Sequence, residues 1–198
     1  MFWDSISRFY DFFETVYNGK CYTELGKRVA QEIEGTDMVL ECACGTGAIT
    51  ECIAPVCRYL VAADMSPGML VRAEKKCRKY RNISFRRADL THLKCRDSRF
   101  DKVVAGNVIH LLDDPEGAVR ELLRVCKPGG KVIIPTYINS SGGKTSLAAQ
   151  LIGIAGADFK RQFDYDTYRK FFTDAGYGDA EFYVIDGRMP CAVAVITK

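Results

Sequence analysis

Histidine is nearly absent from this 198-residue chain, with two copies, and tryptophan occurs once. His92 and His110 stand apart, and the nine cysteines contain no C-x2-C pair, the tightest spacing being Cys42-Ala43-Cys44. Structural zinc is held by ligands in short paired spacings, so no metal is expected. Charge of one sign is also lacking. Lys plus Arg is 28 and Asp plus Glu is 25, and a net of +3 does not by itself call for nucleic acid or a membrane. No apolar run reaches the ~18 residues of a membrane-spanning helix; the longest, from Leu147 to Ala157, is interrupted by Gln150. The opening Met-Phe-Trp-Asp has no basic stretch ahead of an apolar one, so no export signal is expected. The cysteines are then expected to be free thiols in the cytoplasm, acting as small hydrophobes.

The chain does have ordinary globular composition, 47% hydrophobic and 27% charged, and enough length to bury a core as one domain over residues 1–198. Apolar runs alternate with amphipathic stretches. Strands are expected at Met38–Leu40, Tyr59–Ala63, Asn82–Arg86, Lys102–Ala105 and Val132–Ile134. Ser66-Pro67 and Pro115 open helices, and Pro128-Gly129-Gly130 stops the second. Strand–helix alternation implies right-handed crossovers and a parallel sheet. Two runs near the end, Glu181–Ile185 and Ala192–Ile196, flank Asp186-Gly187 and predict an antiparallel hairpin, hence one reversed strand. The first 35 residues are rich in aromatics, including Tyr10, Tyr17 and Tyr22, and read as a helical cap.

The sharpest local feature is Val39-Leu40-Glu41-Cys42-Ala43-Cys44-Gly45-Thr46-Gly47, a strand running into a turn of small residues with a helix expected from about Ala48. Glycines there let backbone approach a ligand closely. The next strand ends in Asp64, an acid placed to accept hydrogen bonds from two ribose hydroxyls. Together they indicate a nucleoside-type cofactor. The dinucleotide fingerprint needs a third glycine where Thr50 stands, which weakens a nicotinamide reading. Glu41 is awkward beside a pyrophosphate and suits a cofactor with positive charge, such as a sulfonium with an amino group.

These residues resemble the class I S-adenosylmethionine-dependent methyltransferases. The family's acid-x-Gly-x-Gly-x-Gly turn is similar to Glu41 through Gly47, with Ala43 replacing the first glycine. Further matches run in order: Asp64-Met65-Ser66-Pro67-Gly68-Met69-Leu70, Ala88-Asp89-Leu90, Phe100 through Asn107, Arg124 through Ile133, and Phe171-Phe172 with Ala175-Gly176-Tyr177. They cover residues 37–198, and Phe9-Tyr10-Asp11 is similar to a segment of the quinone C-methyltransferase branch. The resemblance implies a Rossmann-like three-layer α/β sandwich around a seven-stranded, mostly parallel sheet with an antiparallel C-terminal hairpin strand. It implies S-adenosyl-L-methionine as cofactor. Glu41 would hold the methionine amino group, with Ala43, Gly45 and Gly47 forming the turn beneath it. Asp64 would bind the ribose, Met65 would pack on adenine, Asp89 and Leu90 would face the adenine edge, and Asn107 the methionine moiety.

The implied reaction is in-line methyl transfer to a small-molecule acceptor, in which the protein supplies alignment and electrostatics. His110 and Tyr10 are the candidate catalytic groups. Tyr137 is expected to face the acceptor, together with Phe159, Arg161 and Phe163 from a lid over residues 138–165. Two alternatives stay open: an NAD(P)-dependent oxidoreductase on a similar sheet, and a non-catalytic S-adenosylmethionine-binding protein. Gly142-Gly143-Lys144-Thr145 imitates a phosphate loop, but Ile138 stands where its first glycine belongs, so a flexible connection is expected. The basic run Arg72, Lys75, Lys76, Arg78, Lys79, Arg81, Arg86 and Arg87 reads as a solvated face. RNA is not expected there, since few aromatic residues interleave. The sequence leaves the acceptor atom and the oligomeric state open.

Overall fold

The structure, a computed structural model, describes residues 18–139 and 160–198. The expectations for Tyr10, Tyr17, Phe159 and residues 142–145 lie outside those residues. In chain order the elements are α1 (Gly19–Gln31), β1 (Met38–Cys42), α2 (Thr50–Ile53), β2 (Tyr59–Asp64), α3 (Pro67–Cys77), β3 (Ile83–Arg87), β4 (Phe100–Ala105), a 3-10 turn (Ile109–Leu111), α4 (Pro115–Val125), β5 (Cys126–Tyr137), α5 (Tyr165–Asp174), β6 (Glu181–Ile185) and β7 (Cys191–Thr197).

Seven strands form one sheet in the order β3-β2-β1-β4-β5-β7-β6. β1 to β5 pair in parallel, and β7 runs antiparallel to both of its neighbours. The reversal follows from the terminal hairpin. Glu181 stands opposite Val195 and Ile185 opposite Cys191, while Asp186 and Gly187 in the connection are exposed. The chain order reverses at β1 and β4, so their C-terminal ends leave the crevice where open α/β sheets bind ligands.

Side chains alternate across each strand, and both faces of this sheet are covered. Val39, Leu60, Ala62, Val104 and Ile133 pack with Leu25 and Val29 of α1, Ile53 of α2 and Ala73 of α3. Leu40, Phe100, Val103, Val132 and Ile134 pack on the other face with Val119 and Leu122 of α4 and Tyr168 and Phe172 of α5. Local signals set the helix starts. The Ser66 hydroxyl accepts from Met69 N–H at 3.2 Å, and Asp114 accepts from Gly117 N–H at 2.8 Å, each just before a proline at the first helical position.

Two expectations need correction. The helix after the glycine turn begins at Thr50 rather than Ala48, and it ends at Ile53. Pro55 cannot continue it, because proline lacks an N–H and crowds the residue before it. β5 begins at Cys126 rather than Val132, because Phe100 already pairs with Cys126 ahead of an irregularity in the ladder.

Candidate functional site

The turn after β1 is built from left-handed backbone. Ala43, Gly45 and Gly47 have φ of 54°, 55° and 88°. At Ala43 a side chain occupies a conformation costing roughly 1–2 kcal/mol for an L-residue, which is where the usual motif carries glycine. The reason for glycine at 47 is packing. A Cβ there would stand 3.1 Å from Ala73 Cα on α3. Gly47 therefore lets the loop press against a helix, and it lines no cavity described at the site.

Asp64 ties this turn to the next. Its Oδ2 accepts from Gly45 N–H at 2.9 Å and its Oδ1 from Ser66 N–H at 2.8 Å. One carboxylate thus joins the end of β1 to the start of α3, while it also borders the main cavity. That cavity, about 250 Å³, lies over the C-terminal ends of β1, β2 and β4. Ala43, Gly45, Asp64, Met65, Asp89, Leu90 and Asn107 line it, together with Met69, Leu93, Val108, Leu111 and Leu112. The result is an apolar slot with carboxylates at its rim, where Met65 is exposed and Asp89 accepts from Thr91 N–H at 2.9 Å.

A second, smaller cavity of about 30 Å³ is bordered by Tyr22, Glu41, Ala43, Gly45, Gly106 and Asn107. Glu41 lies on the α1 face of β1, by the alternation that puts Leu40 and Cys42 on the other. It is 1% exposed, and its Oε2 accepts from the Thr50 hydroxyl at 2.6 Å. A buried carboxylate suits a cationic group, because it gains most from an opposite charge away from water. Asn107, also left-handed at φ 51°, donates from Nδ2 to the Tyr22 hydroxyl at 3.4 Å and from its N–H to Pro135 O at 2.9 Å.

Tyr22 is the member that sequence reasoning missed. Its hydroxyl meets that of Tyr137, and the two rings lie edge to face at 6.0 Å. Tyr137 in turn faces His110, with ring centroids 6.4 Å apart. His110 is 5% exposed, and burial pushes its imidazole down to about 4, so it is neutral near pH 7. Arg161 reaches this cluster by its backbone, donating to His110 O at 3.1 Å, while its side chain is exposed. The expectation that Phe163 faces an acceptor is overturned. It is 6% exposed and packs edge to face on Tyr168 at 5.7 Å, inside the core under α5. Glu41, Ala43, Gly45, Asp64, Met65, Asp89, Leu90 and Asn107 are thus brought together, with Tyr22, Tyr137 and His110 beside the Glu41 end.

The Methyltransferase domain family matches residues 40–134, from β1 through the middle of β5. A demethylmenaquinone methyltransferase from Renibacterium salmoninarum is 35% identical over 168 aligned residues, covering 75% of this chain and 70% of that protein. The chain belongs to the class I S-adenosylmethionine-dependent methyltransferases. Among solved structures, the chain is similar to a candidate S-adenosyl-L-methionine-dependent methyltransferase from Methanococcus maripaludis. The TM-score is 0.74 at 18% identity, over 100% of this chain and 94% of that one. It is similar also to the N-methyltransferase NodS from Bradyrhizobium japonicum in complex with S-adenosyl-L-homocysteine. There the TM-score is 0.65 at 21% identity, over 88% and 84% of the two chains. Both likenesses are of fold. The chain spans just over half the length of other curated relatives that it matches, 54% and 57% for two further demethylmenaquinone methyltransferases. Among the described residues no helix is long and apolar enough to cross a membrane.

Proposed function

We propose that the protein transfers a methyl group from S-adenosylmethionine to a small-molecule acceptor, and that the acceptor is a reduced quinone methylated at a ring carbon. The observation that carries the cofactor half is the pairing of the buried Glu41 behind the glycine turn with the Asp64–Gly45 clasp. These residues suit the cofactor. An apolar slot from Met69 to Leu112 takes a purine, Asp64 keeps acceptor capacity for ribose hydroxyls, and Glu41 offers charge to an amino group. When bound, the cofactor supplies an electrophilic methyl on a cationic sulfur. The chain's own work is to hold the reacting atoms in line and to exclude water.

The acceptor half is supported by the curated relatives, named as demethylmenaquinone methyltransferases, and by the Tyr22–Tyr137–His110 cluster. Two phenol hydroxyls beside a neutral imidazole offer hydrogen bonds to a quinol oxygen without adding charge. In such a transfer the new bond joins the methyl to the ring carbon and the bond to sulfur breaks, and the ring proton is released to solvent as the methylated product leaves the site. All nine cysteines are thiols, which supports a cytoplasmic setting.

The test uses S-adenosylmethionine labelled in its methyl group with two acceptors offered in parallel: a prenylated 1,4-naphthoquinol kept reduced by dithionite, and phosphoethanolamine. Label in the naphthoquinol is expected. Label in phosphoethanolamine alone would overturn the acceptor half.

A further inference from the structure

The basic run noted in the sequence is not absorbed by the cofactor site. Residues 71–87 carry eight Lys and Arg against the single acid Glu74, a surplus of seven, while the whole chain nets only +3. The remainder of the molecule is therefore net negative, and its positive charge is concentrated on one region. That region is the outer face of α3 and the adjoining edge strand β3, at one end of the sheet. Lys75, Arg78, Arg81, Arg86 and Arg87 are all exposed, and among the described residues none of them pairs with a carboxylate. Lys79, by contrast, is drawn off by Glu51 at 3.0 Å.

Two exposed apolar side chains sit within this field. Val71 is 65% exposed and Met65 45% exposed, two of the four large hydrophobic residues that the described surface leaves open. Val71, Lys75 and Arg78 follow at helical spacing, so they share one face of α3. Met65 lies at the cavity mouth, and Arg87 Nε donates to its carbonyl at 3.1 Å. The patch is thus continuous with the rim of the crevice.

We propose that this face docks the protein on an anionic phospholipid bilayer. The arrangement is that of an interfacial anchor: cations that meet lipid phosphates, with aliphatic side chains between them that enter the headgroup layer. Nucleic acid fits less well. Single strands are held by exposed stacking aromatics, whereas the two aromatics here, Tyr80 and Phe85, are half-buried against the core, and the Tyr80 hydroxyl donates to Glu51 O at 3.2 Å. Docking would bring the mouth of the crevice to the membrane surface, where a prenylated acceptor resides. That benefit rests on the acceptor proposed above; the docking does not.

The test is flotation of the full chain with vesicles of about one part phosphatidylglycerol to three parts phosphatidylcholine, against pure phosphatidylcholine. Binding is expected on the anionic vesicles alone, and it should fade between roughly 0.1 M and 1 M salt as the screening length falls from ~10 Å to ~3 Å. The triple variant Lys75→Glu, Arg78→Glu, Arg86→Glu should partition at least about tenfold less. It should keep its melting temperature and its affinity for S-adenosylmethionine, because none of the three lines the cavity. Val71→Ser should weaken binding and leave its salt dependence unchanged. Equal binding to both vesicle types, no binding to either, or tighter binding to a single-stranded RNA oligonucleotide than to anionic vesicles would overturn the proposal. Retained cofactor affinity in the same preparation separates such a failure from failure of the methyl-transfer reading.

Discussion

The substitution Asp64→Asn changes two quantities that the structure keeps distinct. The carboxylate accepts Gly45 N–H at 2.9 Å with one oxygen and Ser66 N–H at 2.8 Å with the other. An amide has one oxygen. Whichever way the new side chain turned, its NH2 group would face a backbone donor. One charge-assisted bond would be lost and one N–H left to find water at a half-buried site, at a cost of roughly 1–2 kcal/mol within the usual range for such losses. For a chain of this size that corresponds to a melting temperature lower by about 2–8 °C. Since folded proteins hold ~5–15 kcal/mol in reserve, the variant stays folded at 25 °C and its dissociation constant reads the contact itself. Losing the charged acceptor toward ribose hydroxyls adds ~1.5–3 kcal/mol, or roughly 10- to 150-fold in affinity. The assay is calorimetry with S-adenosylmethionine beside a thermal melt of the same sample. A lower melting temperature with a dissociation constant within about twofold of wild type, far below that range, would reduce Asp64 to a loop clasp and refute its place in the site.

Gly47→Ala should act on folding, since its Cβ meets Ala73 Cα at 3.1 Å with φ at 88°, whereas Gly129→Ala, at φ 77° with open space around it, carries only the backbone cost. The first should lower stability by a few kcal/mol and the second by ~1–2, and equal melting temperatures would contradict the packing account. His110 predicts a pH effect. Its folded value of about 4 lies below the ordinary 6.5, so the unfolded chain binds the extra proton between those values. Stability is full above that window and falls as pH drops through it, by at most roughly 3 kcal/mol. His110→Gln should flatten this part of the acid limb in melts run from pH 7.5 to 4, and an unchanged limb would count against it. Tyr22→Phe removes one hydroxyl from the pair with Tyr137. Methyl transfer to the naphthoquinol should fall about tenfold, equivalent to ~1.4 kcal/mol, with cofactor affinity held; loss of cofactor affinity instead would move Tyr22 to the donor side.

Much of this architecture is legible in the residues. Ser66-Pro67 and Asp114-Pro115 announce their helices because the signals are local, and the terminal hairpin follows from two β-rich runs around Asp186-Gly187. Glu41, Gly45 and Asp64 are legible because a strand end, a glycine and an acid recur at short, fixed spacing. Tyr22 is not, since its partners Asn107 and Tyr137 are 85 and 115 residues away and only the sheet order brings them together. Gly47 reads in the sequence as a neighbour of the ligand, yet its neighbour is α3, a distinction that depends on where the absent Cβ would point. Phe163 reads as a site residue because an aromatic in a lid and an aromatic in a core look alike until the contacts with Tyr168 and Phe171 are known.

Calorimetric titration of the wild-type chain with S-adenosylmethionine, S-adenosylhomocysteine and NADH bears most directly on the site. Saturable one-to-one binding of the first two and none of the third is the expected result, because the crevice pairs a buried acid with an acid at its rim and lacks the third glycine of a dinucleotide turn. Heat from NADH with none from S-adenosylmethionine or S-adenosylhomocysteine would contradict it.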